Sequence, residues 1–330
     1  MGSYNGPTSM PISRVFTERL RNTMNKNVLI IGGSYFLGRV FTLFALQNKN
    51  YNLHVLNRGT YPFQNPAVTE LVCDRKDAFA LQGLPVMHFD AIVDFCAYDP
   101  GDIQLLIHSA PISAAQYIYI SSASVYIDSD SPKDESFPLR TKAAQNQGSI
   151  YAYHKRLLED ETIYCCNRGS MVYTIFRPCY VYGPYNYAPR ESFFLERLFH
   201  MRSIPRPVDA SADFSMVYVT DIAKAICGAI DAPIATNKIY NLAAPERINY
   251  DFLFQTFSQI HPHDIQYEDY TVEGITDNHI PLPYPLVQND LYNGQKAAQE
   301  LSFEYTPFLS GMQHTYQAFR PVYTTTTNTK

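Results

Sequence analysis

The chain has 330 residues, 46% of them apolar and 17% charged, with a formal net charge of −5. Such a composition excludes disordered and fibrous classes and allows one large core or two modest lobes. It offers no electrostatic case for nucleic acid or an anionic membrane as partner, and no run approaches the ~20 apolar residues of a membrane span, so a cytoplasmic protein is expected.

Residues 1–25 read as an N-terminal extension without a signal-peptide hydrophobic stretch. Gly6 stands where a myristoylation signal needs Ser or Thr. Arg14, Arg19, Arg21 and Lys26 against the single acid Glu18 admit a transit peptide, and a plain extension is the favoured reading. Val28–Ile31 is then a continuous apolar run ending at Gly32 and Gly33, with a helix expected over Phe36–Leu46. Glycines can take the backbone angles of a tight strand-to-helix turn, and Gly38 lets the helix pack closely on the strand. The helix start offers free N–H groups and a positive dipole end to a pyrophosphate. Tyr35 occupies the place of the usual middle glycine, and its Cβ limits how closely a phosphate approaches that backbone.

The next strand, Leu53–Leu56, runs into Asn57, Arg58 and Gly59. An acid here would accept a ribose 2′-hydroxyl and repel a 2′-phosphate; Asn57 does neither and Arg58 brings positive charge. That leans from NAD toward NADP, with Arg58 as a solvated loop residue the alternative. Further apolar strands are expected at Glu70–Cys73, Ala91–Asp94 and Tyr117–Ile120, then a helix over Tyr151–Asn167 and a strand at Val172–Phe176. Continuous apolar strands alternating with helices predict an α/β fold with a Rossmann-type doubly wound parallel sheet. After Pro178 the character changes, and 182–212 is rich in Pro, Tyr, Phe and Arg without a clear period. Met216–Val219, a helix over Asp221–Ile230 and a strand at Lys238–Leu242 return to the α/β pattern, and a smaller α-rich lobe follows from Pro245. The expected domains are 26–180 for the nucleotide, 181–322 mainly for substrate with 216–242 returning to the sheet, and a disordered Thr-rich tail at 323–330.

Tyr151 and Lys155 stand four apart on one helix face, and Ser122 follows an apolar strand. A phenol has a pKa near 10, too high for a base at neutral pH. A neighbouring Lys⁺ and a cationic nicotinamide ring would lower it, so that Tyr151 exchanges the carbinol proton while Ser122 holds the substrate oxygen. Lys155 would also reach the nicotinamide ribose. The bland alternative is coincidence in a chain with 26 tyrosines. Cys73, Cys96, Cys165, Cys166, Cys179 and Cys227 show no metal-ligand spacing and read as reduced, mostly buried thiols. His261 and His263 read as a surface loop rather than a metal site, and Asp221 as a helix cap.

These motifs together resemble the extended short-chain dehydrogenase/reductases, the NAD-dependent epimerase/dehydratase family. The resemblance covers roughly Asn27 to Ala318 and is carried by Ile31–Gly38, Cys73–Arg75, Tyr119–Tyr126, the Tyr151 and Lys155 pair, Phe176–Pro178, Val181–Pro184 and Val217–Ala223. It implies Gly32, Gly33 and Gly38 on the pyrophosphate turn with Phe36 and Leu37 beside them. It also implies Asp74 against the adenine with Arg75 next to it, Phe95, Cys96 and Ala97 along the cofactor, and Pro178 near the nicotinamide. Ser122, Tyr151 and Lys155 match the catalytic set and Ser124 a position facing substrate. A homodimer through the Tyr151 helix and the helix at 102–108 is expected on the same ground. The turn looks closest to a divergent branch of reductase-like and epimerase-like proteins that also contains chloroplast RNA-binding relatives. Ala123 and Ser124 replace the Asp-Glu pair of the family's dehydratases, which argues against loss of water. Phe214 stands where many nucleotide-sugar enzymes hold an Arg for the diphosphate; Arg202 or Arg206 could substitute, with surface charge the preferred reading. The expected activity is that of an epimerase or ketoreductase using NAD(P), without metal, at a carbinol or ketone of a sugar, nucleotide-linked. The alternatives are reduction of a non-sugar carbonyl, or a non-catalytic nucleotide- or RNA-binding protein.

Overall fold

The computed structural model describes residues 25–325. The N-terminal extension and the last Thr-rich residues lie outside that range. Seven strands form one sheet in the order β10-β6-β5-β4-β1-β2-β3, where β1 is Lys26–Ile31, β2 Tyr51–Asn57, β3 Val68–Val72, β4 Met87–Asp94, β5 Ile112–Ile120, β6 Val172–Pro178 and β10 Lys238–Leu242. All its ladders are parallel. Along β1, Val28 and Ile30 join one apolar cluster while Leu29 and Ile31 join another. Burial of both faces is why these strands read as unbroken apolar runs rather than alternating ones.

Helix α1 (Phe36–Ala45) covers one face together with α6 (Val219–Asp231). The other face carries α2 (Ala78–Gln82), α3 (Asp102–Ser109) and α4 (Gln147–Arg168). A second lobe holds α5 (Glu191–Phe199), α7 (Tyr250–Ile260), α8 (Val272–Asp277) and α10 (Phe308–Thr325), with α9 (Gln295–Glu300) against β10. The first apolar cluster runs without a break from the sheet into this lobe, from Phe41 through Phe214 to Leu253 and Phe257.

Three expectations are corrected. Of the stretch 216–242, α6 and β10 return to the main sheet, but β9 (Phe214–Tyr218) instead pairs with β7 (Tyr180–Tyr182) and β11 (Arg247–Ile248) in a small separate sheet. Another small sheet joins β8 (Ile204–Pro207) to β12 (Tyr267–Tyr270). Tyr323 to Thr325, read as part of a disordered tail, continue α10, and the Tyr323 ring stacks on Phe199 at 5.7 Å. Asp221 does not cap a helix that follows it. It is buried in the first turn of α6 and accepts hydrogen bonds from Thr306 N–H and Oγ1, tying α6 to the second lobe. Among the described residues no helix is long and apolar enough to cross a membrane.

Candidate active site

The carboxyl ends of β1, β4 and β5 open, with α4 and the second lobe, onto a cavity of about 900 Å³. Crevices at this end of a doubly wound sheet are where such folds bind ligands. Gly32 has φ +84°, and a Cβ there would come within 3.0 Å of Cys96; a Cβ on Gly38 would lie 2.2 Å from the Gly32 carbonyl oxygen. Only glycine lets strand, turn and helix approach this closely. Helix α1 then begins with neither a side-chain cap nor an acid in its first turn, so its leading N–H groups stay open to an anion. Turn and helix end together fit the diphosphate of a nicotinamide dinucleotide.

Asn57, Arg58, Asp74 and Arg75 form the wall beyond the turn. Arg58 and Asp74 are exposed. Asn57 is engaged within its own loop, its Oδ1 accepting from Gly59 N–H at 2.7 Å and its Nδ2 donating to Glu70 at 3.4 Å. Arg75 lines the cavity but points its charge inward, with Nη1 2.7 Å from both Asp94 oxygens and Nη2 donating to the Asp102 carbonyl. Burial opposes ionisation of Asp94, yet the Arg75 guanidinium prevails and holds the carboxyl below its ordinary range. Asp94 in turn accepts from the N–H groups of Cys96 and Ala97, which fixes the turn after β4. Phe36, Leu37, Phe95, Cys96 and Pro178 face the cavity. Gly33 and Ala97 are not in its wall: Gly33 abuts Ile30 and Thr42, and the Ala97 carbonyl accepts from Lys155.

At the other end stand Ser122, Ser124, Tyr151 and Lys155. Ser122 opens a short 3₁₀ turn, and its Oγ accepts from Ser124 Oγ at 2.9 Å. It also lies beside the Tyr151 phenol, whose ionised form it favours. Tyr151 is 40% exposed, and it lines the cavity. Lys155 is buried beneath it, donating to the Ala97 and Ile120 carbonyls at 3.0 and 2.9 Å. Burial lowers its pKa to about 8. The lowering of the phenol was expected from the lysine and a cationic nicotinamide ring together; in the protein by itself burial raises Tyr151 above its usual 10.0. The physical reason is placement, since the Lys155 nitrogen is committed to two carbonyls and sits 5.9 Å from the Tyr151 ring centre.

Behind the pair, Arg177 on β6 grips Glu159 on α4 through Nε–Oε1 at 2.8 Å and Nη2–Oε2 at 2.7 Å, and Ser121 donates to the same carboxylate. This buried network seats α4 on the strand ends, so Ser122, Tyr151 and Lys155 inherit its register.

The cavity also collects residues that spacing does not mark. Arg190 is half-buried in the wall and has no carboxylate within 4.0 Å among the described residues, and its charge favours the Tyr151 phenolate. Asp290 faces the same space, paired with buried Lys133 at 3.1 Å, and burial together with its charge pushes the nearby Tyr180 and Tyr292 phenols up. Its strand-like bridge to Phe214 on β9 brings it there from far along the chain. Arg202 and Arg206 lie away from the cavity wall and pair on the surface with Glu196 and Asp269. His261 is buried against Tyr316 rather than in a surface loop, while His263 is exposed.

The sequence model of the NAD-dependent epimerase/dehydratase family matches residues 28–243. A curated relative, the chloroplast stem-loop binding protein of 41 kDa b of Arabidopsis thaliana, is 29% identical over 244 residues, 69% of this chain. The chain spans 61% of that protein's length. Among solved structures, UDP-glucuronic acid 4-epimerase from Bacillus cereus, solved with NAD, superposes with a TM-score of 0.71 at 16% identity over 90% of this chain and 98% of that one. An epimerase from Methanothermobacter thermautotrophicus gives 0.72 at 17% over 97% and 99%, and UDP-glucose 4-epimerase from Thermotoga maritima, solved with UDP-glucose, 0.69 at 17% over 90% and 99%.

Proposed function

The chain belongs to the NAD-dependent epimerase/dehydratase family, and from that premise we propose that it is an epimerase or ketoreductase acting at a carbinol or ketone of a sugar, nucleotide-linked. The observation that carries this reading is Tyr151 beside Ser122 on the wall of a cavity that also holds the glycine turn. When bound, the nicotinamide dinucleotide supplies a reversible two-electron acceptor. Gly32, the start of α1, Phe95, Cys96 and Pro178 hold it, with Asp74 toward the adenine. Tyr151 Oη takes the carbinol proton on oxidation and returns it on reduction. Ser122 donates to the substrate oxygen, Ser124 orients Ser122, Arg190 supports the phenolate, and the Lys155 charge would hold the nicotinamide ribose. Arg190 and Asp290 offer one cation and one carboxylate to a polar substrate, as a nucleotide-linked sugar requires. The two UDP-sugar epimerases of the same fold favour that class. Exposed Arg58 favours NADP over NAD. Loss of water is left out of the proposal, because Ala123 and Ser124 supply no carboxylate beside Ser122. A homodimer through α3 and α4 remains part of the reading, with Tyr164 on α4 51% exposed.

RNA binding is a second reading, favoured by the name of the Arabidopsis relative. The net charge of −5 and the assembled Ser122, Tyr151 and Lys155 weigh against it. Calorimetric titration of stripped protein with NAD, NADH, NADP and NADPH tests the enzyme reading. Tight binding of one redox pair is expected; no binding of any would overturn it. Turnover without net cofactor consumption would then assign epimerisation, and stoichiometric consumption would assign reduction.

A further inference from the structure

Tyr35, the residue that interrupts the glycine turn, has a partner across the cleft. Its ring lies 4.8 Å from that of Tyr187, which belongs to the segment between β7 and α5 of the second lobe. Phe36 meets the same Tyr187 ring edge-on at 6.1 Å, and Tyr61 backs Tyr35 at 5.6 Å. Further along α1, the Arg39 guanidinium lies over the Tyr185 ring at 5.2 Å. Tyr35, Tyr61 and Tyr187 all line the cavity, yet each remains more than half exposed, at 51, 58 and 63%. Three contacting aromatic rings held at the mouth of a cavity are a cover, since nothing in the core requires them there.

The segment that presents Tyr187 is built to hold it. Glu191, fully buried, accepts from Gly183 N–H at 3.0 Å and from Asn186 Nδ2 with both oxygens. Gly183 has φ +137°, and a Cβ there would fall 2.5 Å from Val219. Tyr185 itself is held at φ +67°, a left-handed conformation that tyrosine avoids without external restraint. The base of the segment is therefore rigid, while its tip meets the nucleotide lobe through the Tyr187 ring against Tyr35 and Phe36 and the Tyr185 ring under Arg39.

We propose that Tyr35 and Tyr187 form an aromatic clasp across the dinucleotide cleft, which holds the cofactor in place between turnovers. The inference rests on the dinucleotide reading above and deepens it. A cofactor that stays bound suits epimerisation, in which the same molecule is reduced and reoxidised, and opposes a reductase cycle that must exchange it at every turnover. It also gives Tyr35 a function where the motif has a glycine.

The test is the dissociation rate of the reduced dinucleotide, followed by its fluorescence in a stopped-flow chase with excess oxidised form. Wild type, Tyr187→Ala, Tyr187→Phe and Tyr35→Gly are compared, with circular dichroism confirming that each is folded. The clasp requires release to accelerate at least tenfold in Tyr187→Ala and in Tyr35→Gly, and Tyr187→Phe, which keeps the ring, to stay within twofold of wild type. Unchanged release in Tyr187→Ala overturns the clasp and leaves the enzyme reading standing. Slower release in Tyr35→Gly also overturns it, because Tyr35 would then be an obstruction to the cofactor rather than its cover. Wild type that binds no dinucleotide overturns both readings together.

Discussion

Tyr151 and Lys155 illustrate what spacing can and cannot disclose. Their separation of one helical turn places them on one face, and that much was legible before any coordinates. Their protonation was not, because it depends on which carbonyls Lys155 meets and how deeply the phenol is shielded. Arg190 and Asp290 escaped notice for a related reason: each is a single charged residue in an irregular stretch, drawn to the cavity by partners remote in sequence. In Tyr151→Phe the proton carrier is gone while the ring remains, so turnover should fall roughly 10²–10⁴-fold. Dinucleotide affinity, measured by calorimetry, should stay close to wild type. Lys155 supplies a pH signature. With its pKa lowered to about 8 it loses its charge as pH rises through that value, whereas Tyr151 is raised above 10.0 and stays protonated. In the direction of carbonyl reduction the rate should therefore decline on an alkaline limb near pH 8. Lys155→Arg, charged throughout, should lack that limb whatever its absolute rate; the same limb in Lys155→Arg would assign it to another group.

Among the elements, the strands of the main sheet were legible because burial on both faces leaves an unbroken apolar run. The small sheets of the second lobe were not. β7 and β12 are short and rich in tyrosine, β8 carries two prolines, and their ladders join segments far apart in the chain. β9 could be read as a strand, but no local pattern says which sheet it joins. Helix α4 is the element that organises the site, and two carboxylates tie it down. Glu159 holds the buried Arg177, and Glu161 accepts from the N–H groups of Gly101, Ile103 and Gln104 at the start of α3, at 2.7, 2.9 and 2.7 Å. Removing Glu159 strands a buried guanidinium, which costs about 3–5 kcal/mol. Glu161→Ala leaves unpaired N–H groups at a helix end, a loss of about 1–3 kcal/mol. Urea denaturation should rank Glu159→Ala as the more damaging of the two. The reverse order would mean that the Arg177 charge finds water or another acceptor once Glu159 is gone.

At the scale of the whole molecule, the cavity lies where the sheet and the second lobe meet, and one apolar cluster continues from one into the other. Shared core couples the two parts, so they should unfold together even though only the first has the dinucleotide turn. A ligand held in the cavity then stabilises the entire chain rather than one lobe. At a hundred times its dissociation constant a bound dinucleotide contributes about 2.7 kcal/mol. Spread over the unfolding entropy of a chain this long, that raises the melting temperature by about 4 °C. Scanning calorimetry with and without the preferred dinucleotide should accordingly give one transition that moves as a unit. Two transitions with a single one shifted would instead make the second lobe an independent unit. The cleft between the lobes would then be a flexible junction, and the ring contacts from Tyr187 to Tyr35 would be too weak to hold the lobes together without ligand.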